Sequence, residues 1–339
     1  MSSQVTLKQI AEALGVSAMT VSRALNNRDN VDAKTKQRVL EKARSMGYTP
    51  NHIAKSLVSN KTYTIGVVIP AISHAFFPEV VRGIEEVTYK TNYQLILTHA
   101  AEQFEREKVA INTLRSKRVD GILISTSQTV EDYSFYKQTI DSGMPVVFFD
   151  RCIENIGASC VSVNDRTSSR QITQHLIDHG YKKIAYISGP QKVAVGKERL
   201  GGYLEALEAH DIPVDDKLIV EGGFREQQGY EAMKQLLDLP ESSRPQAVAT
   251  INDPSAFGAI EAIKEYGLSI PDDIAIVGFT DDIRAGLLEC PLTTIRQPAY
   301  EVGKKGAEKL IKVIEDPDEP IENIEVVTKL IIRNSCGCT

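Results

Sequence analysis

The chain has 339 residues, 42% hydrophobic and 25% charged, which is more than one ordinary domain needs and leaves ample material for a core. No apolar run reaches the roughly 18–20 residues that span a bilayer, and the start, Met1-Ser2-Ser3-Gln4-Val5-Thr6, lacks the regions of a secretory signal, so a cytoplasmic protein is expected. The net charge of −6 hides an asymmetry: residues 1–61 hold ten Lys/Arg against four Asp/Glu, a net of +6, and the remainder holds 29 against 41, a net of −12. A basic head on an acidic body predicts that only the head meets a polyanion.

From Thr6 to Tyr48 the pattern is helical. Thr6 with Gln9 is a capping box, and Leu7, Ile10, Ala11 and Leu14 then fall on one face. Gly15 breaks this helix and Ser17 caps the next. Val21 and Leu25 form the inward stripe of the second helix, leaving Ala18, Met19, Ser22 and Arg23 on its other side. A third helix is expected from Ala33 to Met46, with Val39, Leu40 and Ala43 inward and Gly47 as its stop. Three short helices with a tight glycine turn between the first two fit a helix-turn-helix unit. Its basic charge favours DNA over a plain helical bundle.

Residues 50–61 read as a hinge. Asn51 can cap a short helix carrying Ile53, Ala54, Leu57 and Val58, but an isolated helix of about eight residues is marginal in water and needs a partner or DNA to form. A plain linker is the other reading.

From Tyr63 onward, apolar strands alternate with amphipathic helices. Strands are expected at 64–69, 94–98, 121–125 and 146–150, then at 183–188, 218–221, 247–251 and 274–279. Two sets of βα units imply two doubly wound subdomains with parallel sheets. Ligands bind such sheets beyond the carboxyl ends of their strands. There stand Asp150-Arg151, Asn252-Asp253 and Thr280-Asp281-Asp282, with Phe76 and Phe77 in the loop after the first strand. Carboxylates and amides hydrogen-bond hydroxyls, and aromatic faces cover C–H surfaces, so the set suits a polyhydroxylated ligand.

Enzyme and cofactor signatures do not appear. There is no G-x-G-x-x-G after the strands at 64–69 or 183–188, no P-loop, no H-E-x-x-H and no G-x-S-x-G. No cofactor and no metal are expected. His175 and His179 lie four apart on one helix without a third ligand near them in sequence. Cys336-Gly337-Cys338 sits at the tail, where two thiols lack the further ligands of a zinc site. The odd count of five cysteines argues against a disulfide framework.

Val5-Thr6-Leu7-Lys8-Gln9-Ile10-Ala11, Gly15-Val16-Ser17 and Thr20-Val21-Ser22-Arg23-Ala24-Leu25-Asn26 together form a specific pattern. So do Gly47-Tyr48-Thr49-Pro50-Asn51 with Ala54 and Leu57, Phe76-Phe77 ahead of Arg82-Gly83-Ile84-Glu85, Val119-Asp120-Gly121-Ile122, and Thr293-Thr294-Ile295 with Gln297-Pro298. On these motifs the chain resembles the lactose-repressor (LacI/GalR) family over essentially its full length.

The resemblance implies an α/β architecture. An all-α helix-turn-helix domain at 1–49 and a hinge helix at 50–61 precede a type I core, like the periplasmic sugar-binding proteins, at 62–339. The core's N-subdomain is expected at about 62–162 and 293–322 and its C-subdomain at about 163–292 and 323–339, with crossovers near 162, 292 and 323. The resemblance further implies a homodimer on palindromic double-stranded operator DNA, controlled by a small-molecule effector, usually as a repressor. The second helix would lie in the major groove, with Ala18 and Met19 choosing the operator and Arg23 contacting a base. Thr6, Ser17, Thr20, Ser22 and Asn26 would hold phosphate. Ala54 and Leu57 belong to the hinge helix, the leucine wedging into the minor groove.

In the core, Phe76, Phe77, Asp150, Arg199, Phe224, Asn252, Asp253 and Gln297 match effector positions, with His74 and Arg151 as additions and Arg199 the foremost. After Gly278-Phe279 many members carry Asp, whereas here Thr280 comes first and Asp281 second. With Arg151 and Arg199, that departure favours an anionic sugar derivative over a neutral sugar. A cytoplasmic sugar sensor without operator function is the alternative, and an enzyme acting on a sugar is the third reading.

Overall fold

The computed structural model describes residues 5–26, 30–48, 61–72, 75–130 and 132–338. Two compact units result, residues 1–62 and 63–339.

The first unit holds α1 (Leu7–Leu14), α2 (Ala18–Leu25) and α3 (Ala33–Ser45). Each start has a side-chain cap. Thr6 and Gln9 form the reciprocal box, Ser17 accepts from the Thr20 amide at 3.0 Å, and Asp32 accepts from the Thr35 amide at 2.9 Å. Gly15, at φ 65°, supplies the left-handed turn that ends α1. The three helices share a small core of Ile10, Ala11, Val21, Ala24, Val39 and Ala43. A core this small leaves most of each helix surface in water.

The second unit is built on two six-stranded sheets. The first contains β1 (Thr64–Ile69), β2 (Gln94–His99), β3 (Gly121–Ile124), β4 (Val146–Phe149) and β5 (Ser159–Ser162). Its helices α4 (Phe76–Lys90), α5 (Phe104–Ser116) and α6 (Ser134–Asp141) follow β1, β2 and β3. The second sheet contains β6 (Ile184–Ser188), β7 (Ile219–Glu221), β8 (Ala247–Thr250), β9 (Ala275–Thr280) and β10 (Thr293–Arg296). Here α7 (Asp165–Asp178), α8 (Ala194–Glu208), α9 (Glu226–Leu237) and α10 (Asp253–Glu265) alternate with the strands. After α11 (Ala299–Glu315), β11 (Asn323–Glu325) completes the first sheet and β12 (Lys329–Ile331) the second.

All pairings are parallel except β10 with β12. Strands β3, β4, β6 and β8 are buried throughout, as expected of strands covered by helices on both faces. Helices α4 and α11 approach so closely that a Cβ on Gly83 would stand 2.1 Å from the Tyr300 carbonyl oxygen.

Several expectations need correction. The second crossover follows Arg296, not residue 292, because β10 pairs with β9 of the second sheet before the chain leaves. The third follows Glu325, not residue 323, because β11 pairs with β5 of the first. Which sheet these short strands join is set by their pairing partners, which the local pattern does not reveal. Phe76 and Phe77 open α4 rather than lying in a loop. Cys152 and Cys160 form a disulfide, since the parallel pairing of β4 with β5 folds the intervening loop back on itself. An odd count forbids complete pairing, not one local pair. Finally, the tail carrying Cys336 and Cys338 lies against His175 and His179, so the third ligand missing in sequence is present in space. No helix among the described residues is long and apolar enough to cross a membrane.

Candidate functional site

Two sites emerge, one in each unit. In the first, α2 buries Val21 and Ala24 and turns Ala18, Met19 and Arg23 outward; Met19 is 63% exposed. At 100° per residue, positions 18, 19, 22 and 23 form one stripe. An exposed thioether and guanidinium side by side on a short helix suit a groove that offers thymine methyls and guanine acceptors. The hydroxyls of Ser17 and Thr20 lie 2.9 Å apart, and Asn26 donates through Nδ2 to the Ser22 carbonyl at 2.8 Å. Thr6 is held by Gln9. These polar side chains thus serve their own helix ends. Ala54 and Leu57 lie outside the described residues, as does His74.

In the second unit, a cleft opens between the two sheets, with about 480 Å³ of space that includes its open, solvent-facing side. Its walls come from residues just past the strand ends, as the doubly wound topology dictates. Ala75, Phe76 and Phe77 enter from the start of α4, and Asp150 and Arg151 from the end of β4. Val195 and Arg199 come from α8, Phe224 from the turn after β7, Asn252 and Pro254 from the start of α10, Thr280 and Asp282 from the end of β9, and Gln297 from the end of β10.

Each guanidinium group is tied down. Arg199 is 3% exposed, and its Nε donates to Asp165 Oδ1 at 2.7 Å while Nη1 donates to the Ile251 carbonyl at 2.6 Å. Its planar head lies 3.6 Å from the Phe279 ring centre. Arg151 donates to Glu102 Oε2 at 2.8 Å, and its guanidinium lies 4.6 Å from the ring centre of Phe224, a residue of the opposite subdomain. The remaining polar groups are partly spent. Asn252 caps α10 through Oδ1 and donates through Nδ2 to the Phe224 carbonyl at 3.0 Å. Asp282 accepts from the Arg284 amide at 2.9 Å. Gln297 is the exception: its buried Nε2 has no hydrogen-bond partner among the described residues. A buried orphan donor is costly unless something else accepts from it.

Burial sets the acidity of the cleft. It pushes the Asp150 carboxyl up to about 6, against the pull of Arg151 and Arg199. It also raises Asp165, with Arg199 opposing.

Two expected cleft residues lie elsewhere. Asp253 is fully buried and bridges strands: Oδ1 accepts from the Thr294 hydroxyl at 2.6 Å and Oδ2 from the Asp282 amide at 2.7 Å. Burial lifts its carboxyl to about 7, with those two hydrogen bonds opposing. Asp281, at φ 60°, turns away and pairs with Arg296 at 2.6 Å and Arg333 at 2.7 Å. Its neighbours Thr280 and Asp282 line the space instead. Asp281 thus faces the opposite side from the residues before and after it, as alternate residues of a chain leaving a strand do. Val195, Pro254 and Ala75 carried no polar signal to single them out.

Both units match family models. Residues 6–51 match the model of bacterial regulatory proteins of the lacI family, and residues 62–334 match that of periplasmic binding proteins and the sugar-binding domain of the LacI family. The chain is 33% identical to the HTH-type transcriptional repressor PurR of Mannheimia succiniciproducens, over 97% of this chain and 98% of that protein. Among solved structures, it resembles a lac repressor dimer bound to operator and the anti-inducer ONPF, with TM-score 0.88 and 25% identity over 98% and 99% of the two chains. It also resembles the transcriptional regulator CelR in complex with cellobiose, with TM-score 0.75 and 29% identity over 98% and 100%. A DNA-type helical head and a two-sheet core in one chain, each matched to its own model, establish that this protein belongs to the LacI family of bacterial transcription regulators.

Proposed function

We propose that the protein is a cytoplasmic, dimeric repressor that binds a palindromic operator through its head and is controlled by a small effector in the core cleft. The observation that carries this reading is the pairing in one chain of an outward stripe on α2 with a cleft holding an orphan donor at Gln297. Two copies related by a two-fold axis would read two half-sites about one helical turn apart or a multiple of it. The lac repressor structure, a dimer on operator, supports the same assembly here.

The cleft supports a neutral, polyhydroxylated effector rather than the anionic one the departure at Thr280 pointed to. Both guanidinium groups already face a carboxylate, Glu102 for Arg151 and Asp165 for Arg199. Asp150 and Asp282 add two further carboxyl groups to the lining. Phe76, Phe77 and Phe224 offer the aromatic faces that a sugar's C–H surface covers. The cellobiose complex of CelR is a relative's case of such a ligand.

Selection of bound sequences from random double-stranded DNA tests the regulatory reading. Enrichment of a palindrome is expected. Failure to enrich any symmetric site, with the protein folded and dimeric, would overturn it. A thermal-shift screen of neutral sugars and sugar acids tests the effector class, since a ligand of the folded core raises its melting temperature.

A further inference from the structure

Outside the cleft, three sulfur and nitrogen ligands converge where residues 336–338 meet the end of α7, and a fourth, His179, stands beside them. Cys336 Sγ lies 3.3 Å from His175 Nε2, and Cys338 Sγ lies 3.6 Å from the same nitrogen. Cys338 Sγ lies 2.9 Å from His179 Nε2, and the two sulfurs are 3.2 Å apart. The ligand atoms of His175, Cys336 and Cys338 all fall within 4.8 Å of one another.

We propose that Cys336, Cys338, His175 and His179 form a tetrahedral Cys2His2 site for a zinc-class divalent cation. The donor set is the one structural zinc takes, and the histidine spacing, H-x3-H on one helix, is within its usual range. Metal–ligand lengths of about 2.3 Å to sulfur and 2.0 Å to nitrogen put tetrahedral sulfurs about 3.8 Å apart and sulfur–nitrogen pairs about 3.5 Å apart. The four separations given above lie within about 0.6 Å of these values, while His179, which meets the cluster through Cys338, must swing further to complete the tetrahedron.

Three features of the surroundings fit a built site. First, the His179 Nδ1 faces the His175 carbonyl at 2.7 Å. A carbonyl only accepts, so Nδ1 carries the proton and Nε2 presents its lone pair to Cys338. Such a second hydrogen bond fixes the ring of a metal-bound histidine. Second, Gly337 adopts φ 88°, which turns both thiols to one side, and a Cβ there would stand 2.9 Å from the Tyr181 hydroxyl. Third, the tail is anchored independently. Ser335 donates to the Ile276 carbonyl at 2.6 Å and accepts from the Thr293 amide at 2.8 Å. The Thr293 hydroxyl lies 3.1 Å from Cys336 Sγ, where it supports a thiolate. Cys336 is fully buried while Cys338 and His179 reach the surface, which gives an ion a way in.

In sequence the two pairs of ligands are about 160 residues apart. Metal here would clasp the end of the chain to α7, whose first turn holds Asp165, the partner of Arg199. The inference does not depend on the regulatory reading.

The test is titration of the reduced, chelator-stripped full-length protein with cobalt(II), followed by zinc(II). The expected result is one equivalent per chain, with the visible bands of tetrahedral cobalt and thiolate charge transfer, both abolished by zinc. Zinc should also raise the melting temperature of the core. Loss of even an outer partner of a metal ligand costs about 10–100-fold in affinity, so Cys338→Ser and His179→Gln should each cost on the order of 100-fold or more. Cys290→Ser should leave binding intact. Binding that is absent, octahedral, or unaffected by both ligand variants in folded protein would overturn the proposal. Because His179 is exposed, its variant should fold even if the cysteine variant does not.

Discussion

The head and the core place their candidate functional side chains in opposite settings. On α2, Ala18, Met19 and Arg23 stand in water on a face that packs nothing. In the cleft, Arg151, Arg199, Asn252 and Gln297 are all at least nine-tenths buried and most are locked into hydrogen bonds. The head can therefore change what it reads at little cost to its fold. The core cannot, because the residues that line its cleft also hold its strands and helices together.

Substitution of Arg199 is where the contrast should be sharpest. Arg199→Ala leaves Asp165 buried without its partner, and breaking a buried pair costs about 3–5 kcal/mol. The expected outcome is a lower melting temperature of the core together with complete loss of effector response. A normal response in that variant would move the site elsewhere. Arg23→Ala should leave stability within about 0.5 kcal/mol, as for other exposed positions. It should nonetheless cost about 1–3 kcal/mol of operator binding and relax one base position, as lost bidentate readout does. An unchanged preference at every operator position would break the comparison.

A smaller effect is expected at Ser17. Its hydroxyl caps α2, so Ser17→Ala should destabilise the head by about 1 kcal/mol, measured by urea unfolding. No change would mean that the cap is dispensable and that Ser17 is kept for phosphate alone.

The pH dependence is the most informative in sign. Burial lifts Asp150 to about 6 and Asp253 to about 7, above their unfolded values near 4. The native state then holds these protons more tightly, so their contribution to stability is present at low pH and lost as pH rises through that window. For the cleft, a neutral ligand donating a hydroxyl to Asp150 should bind better as pH rises through about 6. An anionic ligand should bind worse. Asp150→Asn should flatten either profile, and calorimetric titration across that range reads the sign directly.

The same contrast explains what was legible in the sequence. The head is local: caps, a glycine turn and one apolar stripe fix three helices, and the outward face is whatever the stripe leaves over. Long buried strands of the core were equally plain. The cleft is not local, since its walls come from seven segments. Asp150 and Arg151 could be placed because each directly follows a strand, whereas Asp253 and Asp281 follow strands too and turn to Thr294 and Arg333 instead. Strands β5, β10, β11 and β12 escaped because pairing rather than pattern defines them. The meeting of Cys336 and Cys338 with His175 and His179 depends on the last crossover and had no local signature.

Coupling between the two units is the central claim, and operator affinity measured with and without saturating effector tests it most directly. The full-length protein should be titrated onto its selected operator by fluorescence anisotropy, with the ligand that most raises the melting temperature of the core. The account predicts a change of about 5–150-fold, the usual span of allosteric coupling, and its disappearance in Arg199→Ala. Equal affinities with the cleft saturated and empty would contradict it.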